Sequence, residues 1–334
     1  VIDTPRLDKI VTRLAPLARA GILVSREPLV ARMFSRHIDR QLEALRPDAI
    51  VAVGAAHKLA YINPKWPVVY IADALFDTII DYYDQYKRLN GRTRRVGNDM
   101  QRNMVDRCDM LMMTSEWGRA SAAGAYGIAD DRLMAVPYGA NLETDPGFQQ
   151  PVSGGPLKLL FAGYAWDRKG GPLALDIWRE LRRRTGNAEL HIVGCRPPEA
   201  TNLDGVHVHG LLKKSDPADY RRFVDLFAGS SFFLMPSRQE AFGLVYCETA
   251  AFGRPAVAIS TGGVSTIVRD GETGILLPPG SSASAYADRI LAAWSDEAAY
   301  AALCHAARAD YEQRLNWQAW GEALESAVKQ VVAR

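Results

Sequence analysis

Two periodicities alternate along the chain. From residue 8 to about residue 45, apolar positions recur at three- and four-residue spacing, as in Leu29, Val30, Met33, Ile38, Leu42 and Leu45. That spacing predicts helices, ended by Pro47. Short unbroken apolar runs follow: residues 49–53 closing on Gly54, Val68–Ala72 closing on Asp73, Met110–Met113 before Thr114 and Ser115, and 133–136 before Pro137, Tyr138 and Gly139. Runs of this length read as buried strands, and strands alternating with helical stretches predict a parallel, doubly wound sheet.

Residues 140–156 are polar and rich in proline and glycine, which predicts a linker between domains at 1–145 and 155–315. The alternation then restarts, with strands expected at Leu157–Ala162, 189–193, 206–209, 231–235, 255–259 and 275–277. The expected fold class is α/β, with two Rossmann-like parallel-sheet domains. A chain of 334 residues is long enough for both cores.

Composition narrows the function classes. At 48% hydrophobic and 23% charged, the chain is of ordinary globular composition. A net charge of +2 gives no general attraction to nucleic acid. Cys108, Cys195, Cys247 and Cys304 are scattered without a Cys-x-x-Cys pair, which favours a reduced, cytoplasmic protein without a structural zinc site. No apolar run reaches the roughly 18 residues of a membrane span. No Gly-x-Gly-x-x-Gly follows a strand, which weakens a dinucleotide dehydrogenase reading.

The candidate chemistry is densest between Pro236 and Pro278. Glu240 and Glu248 bracket Phe242-Gly243-Leu244, and the apolar stretch from Leu244 to Phe252 has helical length with Gly253 as its stop. Glu240 therefore falls in a strand-to-helix loop and Glu248 one to two turns into the helix. In an open α/β sheet such a loop borders the crevice where ligands bind. Unpaired amides near Gly243 and Leu244 can cradle a diphosphate, and a carboxylate can accept from both hydroxyls of a sugar diol.

The same segment resembles the glutamate-x7-glutamate motif of the retaining glycosyltransferases of family four. Pro236-Ser237, Phe242-Gly243-Leu244, Gly253-x-Pro255, Gly262-Gly263 and Asp270-Gly271-x-x-Gly274 all fall in that family's order. The resemblance implies the GT-B fold, two Rossmann-like domains facing across a cleft, and a closing helix over 316–334 that returns to the N-terminal domain. It also implies that Glu240 contacts the donor sugar and Glu248 the nucleotide ribose, with the amides of Phe242, Gly243 and Leu244 near the sugar and diphosphate. The nucleotide base is expected near Gly194 and Gly210-Leu211-Leu212. A chain of this type normally opens with a strand, a glycine turn and a helix, whereas this one opens Val-Ile-Asp-Thr-Pro5, so the N-terminal domain is expected to be incomplete.

Gly163 ends another strand, and Arg168, Lys169, Gly170 and Gly171 follow in its loop. The string resembles the family's phosphate-binding Lys-Gly element and makes Lys169 the first candidate for stabilising a departing nucleoside diphosphate, with Arg168 the second. Two departures stand out: Tyr164 where many members carry arginine, and Ser265-Thr266 where a glutamate is usual. In the N-terminal domain Asp73 occupies the place of a histidine that faces the donor sugar, and is read either as orienting a hydroxyl or as a helix cap. His57 has a similar claim against a purely structural role. Asp81, Tyr82, Tyr83, Asp84 and Tyr86 either meet an acceptor sugar or pack a helix.

Lys87, Arg88, Arg92, Arg94 and Arg95 crowd nine residues. They are read either as a solvated face or as contact with a phosphorylated or lipid-linked acceptor or an anionic membrane surface. His191, His207, His209 and Cys195 invite a metal, but no carboxylate or cysteine spacing completes a recognisable site. The expected function is metal-independent, retaining transfer of a sugar from a nucleotide diphosphate donor, of UDP or GDP type, to a glycan, lipid-linked or small-molecule hydroxyl. No further cofactor is expected, and the expected location is the cytoplasm, with peripheral contact at the inner membrane face. The alternatives are a noncatalytic nucleotide-sugar- or partner-binding protein and a sugar-nucleotide epimerase.

Overall fold

The computed structural model describes every residue except 15, 17–19, 64 and 152–153. The chain forms two compact units, Val1–Val136 with Glu322–Arg334, and Pro137–Gly321.

The first unit is built on β1 (Ile50–Val53), β2 (Val68–Ala72), β3 (Met110–Met113) and β4 (Leu133–Ala135), all parallel and in the order β1-β2-β3-β4. Every residue of β2 and β3 is buried, as unbroken apolar runs require, whereas Val51 and Val53 of β1 stand exposed. The helix Pro28–Leu45 buries Ala31, Phe34, Ser35, Ile38 and Leu42. Leu29, Met33 and Leu45, counted with that apolar periodicity, are instead exposed. The helix stops at Arg46, which takes a left-handed conformation (φ 48°) just ahead of Pro47.

The second unit carries β5 (Leu157–Ala162), β6 (Ala188–Val193), β7 (Val206–Gly210), β8 (Phe232–Leu234), β9 (Ala256–Ile259) and β10 (Gly274–Leu277). The order is β10-β9-β8-β5-β6-β7, parallel throughout. The chain grows from β5 through β7 on one side and then returns to lay β8 on the other. That reversal makes the β5/β8 boundary a topological switch point, the place where open α/β sheets bind ligands. Phe161, Phe227, Phe232, Phe233 and Phe252 are fully buried in the core. Tyr246, also buried, donates its hydroxyl to the Met235 carbonyl at 2.8 Å and ties the helix Leu244–Ala251 to the end of β8.

Candidate active site

The loops after β5 and β8 meet at the switch point through backbone contact. Gly170 has φ +77°, and a Cβ built on it would lie 1.8 Å from the Pro236 carbonyl oxygen, so no larger residue fits without parting the loops. The Arg238 amide donates to the Arg168 carbonyl at 2.9 Å, and Arg168 Nη1 donates to the Gln239 carbonyl at 2.9 Å. These bonds bring residues some seventy positions apart in sequence into one structure.

Glu240 sits in this stitched region, 7% exposed. Lys169 Nζ pairs directly with Glu240 Oε2, and Arg168 Nη1 is 3.9 Å from the same oxygen. The Ser237 hydroxyl donates to that oxygen at 3.5 Å, and the Gly263 amide, from the loop after β9, donates to the Glu240 carbonyl at 3.1 Å. The three residues singled out as two separate motifs are thus one charged cluster. Gly243 precedes the helix Leu244–Ala251 with φ +94°, and no side chain caps the helix start. Its first-turn amides carry the positive end of the helix dipole. Phe242 is 2% exposed and packs edge-on against Tyr138 at 5.3 Å, so its side chain belongs to the core.

Glu248, 6% exposed, is met by Lys214 Nζ at 2.6 Å. Burial pushes its carboxyl above the usual glutamate range, and Lys214 opposes that shift. Lys214 also donates to the Asn141 carbonyl at 2.8 Å and lies 4.5 Å from the Phe223 ring centroid. Sequence reasoning missed Lys214. The available signal was Lys213-Lys214 in the loop that follows β7, on the same sheet end as the other loops.

Gly163, Gly194 and Gly210 line up where β5, β6 and β7 end. The Gly163 amide donates to Val193 and the Gly194 amide to Gly210, at 2.9 and 2.8 Å. A Cβ on Gly194 would lie 2.7 Å from the Gly163 carbonyl oxygen, and one on Gly210 would strike the Arg196 guanidinium. Leu211, next in line, is half exposed. Tyr164 is largely exposed. Ser265 shares a 2.9 Å hydrogen bond with Ser260, and Arg314 donates to the Thr266 carbonyl at 2.7 Å.

Asp73 belongs to the first unit, exposed just past β2. Thr114 Oγ1 donates to its carboxylate at 3.4 Å. The next helix, Phe76–Tyr82, is preceded by Leu75 and has no side-chain cap, so Asp73 is not that helix's cap. His57 lies edge-on to Phe34 at 5.6 Å, and burial, with Arg26 and Lys58 nearby, pushes its pKa down to about 4. Tyr82 packs against Tyr83 and Trp117. Of the basic stretch, Lys87 pairs with Asp84, Arg92 makes a two-pronged pair with Glu27, and Arg94 pairs with Asp81, so much of its charge is locally neutralised. Glu189, two residues before His191 on β6, lies beside it. Among the described residues no helix is long and apolar enough to cross a membrane.

Residues 156–296 match the family model described as glycosyl transferases group 1. The chain is 28% identical over 255 residues to a D-inositol 3-phosphate glycosyltransferase of Xylanimonas cellulosilytica, an alignment covering 70% of this chain and 60% of the relative. The chain therefore spans about 60% of that relative's length. The structure resembles sucrose-phosphate synthase from Thermosynechococcus elongatus, with a TM-score of 0.67 at 20% identity, covering 91% of this chain and 78% of the other. A glycosyltransferase from Rickettsia africae ESF-5 matches with a TM-score of 0.67 at 16% identity, covering 96% and 87%. These structural likenesses establish the fold, two Rossmann-like parallel-sheet units of the GT-B type.

Proposed function

We propose that this chain, whose second unit matches the glycosyl transferases group 1 model, moves a sugar from a nucleotide diphosphate donor to an acceptor hydroxyl with the anomeric configuration retained. The observation that carries the proposal is the Lys169–Glu240 pair at the switch point of the second sheet, with Arg168 beside it and the uncapped helix start adjacent in sequence. A diphosphate arriving there meets cations already oriented by protein partners, so little reorganisation is needed as negative charge builds on the leaving group. Lys169 is the principal stabiliser in this reading, Arg168 the second, and the amides of Phe242, Gly243 and Leu244 complete the cradle.

Glu240 positions the donor sugar by accepting from its hydroxyls and stabilises positive charge on the anomeric carbon. Glu248 accepts from the ribose diol, and Lys214 supports its ionised form against burial. The glycine-lined ends of β5, β6 and β7, with Gly163, Gly210 and Leu211, receive the nucleoside. The departing phosphate oxygen accepts the acceptor's proton, so the reaction needs neither a separate general base nor a divalent ion at the diphosphate. The named relative is a D-inositol 3-phosphate glycosyltransferase, which supports a phosphorylated polyol or carbohydrate as acceptor.

A thermal-unfolding panel of UDP, GDP, ADP, CDP and TDP with their sugar conjugates tests the donor assignment. A nucleotide at about 100 times its dissociation constant adds roughly 2.7 kcal/mol, a rise of a few degrees. The expected result is stabilisation by one nucleotide class, lost in Glu248→Ala. Stabilisation by none, in a protein that is otherwise folded, overturns the proposal.

A further inference from the structure

Four titratable side chains on one face of β6 and β7 take no part in the donor site. Glu189 and His191 are two apart on β6, His207 and His209 two apart on β7, and the strand register sets His191 opposite His207. The His191 and His207 rings stack with centroids 4.7 Å apart. His191 Nε2 is 3.3 Å from Glu189 Oε2, and His191 Nδ1 is 3.0 Å from His209 Nε2. Arg222 Nη2 lies 2.8 Å from His209 Nδ1.

A guanidinium can only donate, and that property orders the whole chain. With His209 accepting from Arg222 at Nδ1, its own proton sits on Nε2 and is donated to His191 Nδ1. His191 then carries its proton on Nε2 and donates to Glu189. The series ends on a single proton shared between an imidazole nitrogen and a carboxylate oxygen, both of which are metal ligands when that proton is elsewhere.

We infer that Glu189, His191 and His207 form a binding site for a divalent transition ion of the zinc type, distinct from the donor site. One ligand atom from each lies within 4.8 Å of the others. Nitrogen and oxygen ligands about 2.0–2.1 Å from tetrahedral zinc are about 3.3 Å apart, and His191 Nε2 and Glu189 Oε2 already have that separation. His207 is exposed, so a rotation of its side chain brings its nitrogen in, and water completes the coordination.

The protons balance without loss. As the ion takes His191 Nε2, the His191 proton moves to Nδ1 and is donated to His209 Nε2. The His209 proton moves to Nδ1, and Arg222 turns to solvent. His209 thereby becomes the partner that orients a ligating histidine. Lys158, opposite Glu189 on β5, opposes the ion's charge and moderates its affinity. A bound ion would clamp β6 to the outermost strand just ahead of the register shift between Ile192 and Val193.

The test titrates the full chain, freed of metal by chelator and dialysed, with Zn²⁺ by calorimetry and with Co²⁺ by visible absorption. One equivalent is expected, with the intense cobalt band of a tetrahedral site and a higher unfolding midpoint. Binding should weaken at least tenfold in both Glu189→Gln and His207→Ala, whose side chains lie at or near the surface, and persist in His305→Ala, a histidine stacked on Phe148 elsewhere in the unit. Circular dichroism identifies variants that remain folded. Absence of a one-equivalent event, or binding that survives both variants, overturns the site.

Discussion

At the residue scale, Glu248 places stability and binding in opposition. Its folded pKa is raised, so the native state holds a proton where the unfolded chain has lost it, and this group's contribution to stability falls as pH rises from about 4.5 through the raised value. Binding a ribose diol uses the ionised carboxylate, so nucleotide affinity should climb over the same window. Glu248→Gln is therefore expected to leave the neutral-pH unfolding midpoint unchanged or slightly higher while weakening nucleotide binding at least tenfold, read by thermal scans and calorimetry on the same sample. Lys214→Met should move the affinity-against-pH curve to higher pH, because the cation that favours the ionised form is gone. A curve that does not move would mean that Lys214 does not tune Glu248.

At the element scale, the unit of function is a pair of loops. Gly170 lets the loop after β5 touch the backbone of the loop after β8, and it also precedes the helix Gly171–Thr185. Gly170→Ala adds a Cβ against the Pro236 carbonyl at a positive φ, an expected loss of roughly 2–4 kcal/mol in denaturant unfolding. Gly186→Ala, also at positive φ but with open space around it, should cost only about 1 kcal/mol. Equal losses would show that backbone conformation, not the close approach, requires Gly170. A second fastening is Arg308, which grips Asp145 with two 2.7 Å bonds and the Ala251 carbonyl with a third at 2.6 Å. It joins the helix Glu297–Arg314 to the end of the helix bearing Glu248.

At the scale of the whole molecule, acid should act first through buried imidazole in the first unit. His57 is held neutral by burial, with a folded pKa of about 4, whereas the unfolded chain takes up a proton near 6.5. Between those values the unfolded state binds more protons, so this contribution is complete above pH 6.5 and is lost as pH falls toward 4, about 3 kcal/mol at most. His57→Gln should flatten the pH dependence of unfolding across that window. A slope unchanged from the parent chain would assign the acid sensitivity elsewhere, with His209, also lowered to about 4, as the next candidate.

The strands were legible in the sequence because each is a local event: Val68–Ala72 and Met110–Met113 are apolar runs buried on both faces, as their own composition requires. The helix carrying Glu248 was legible from Gly243 and Gly253, which bound an apolar stretch by their own backbone freedom. What the sequence by itself determined is thus the list of elements and the residue types at their ends. Only the tertiary structure decided which ends meet. Lys169 reaches Glu240 because β8 returns beside β5, Lys214 reaches Glu248 because the loop after β7 meets the helix that follows β8, and His207 meets His191 because of strand register. Strand order and register are set by the packing of the whole sheet, so no local spacing encodes those pairs.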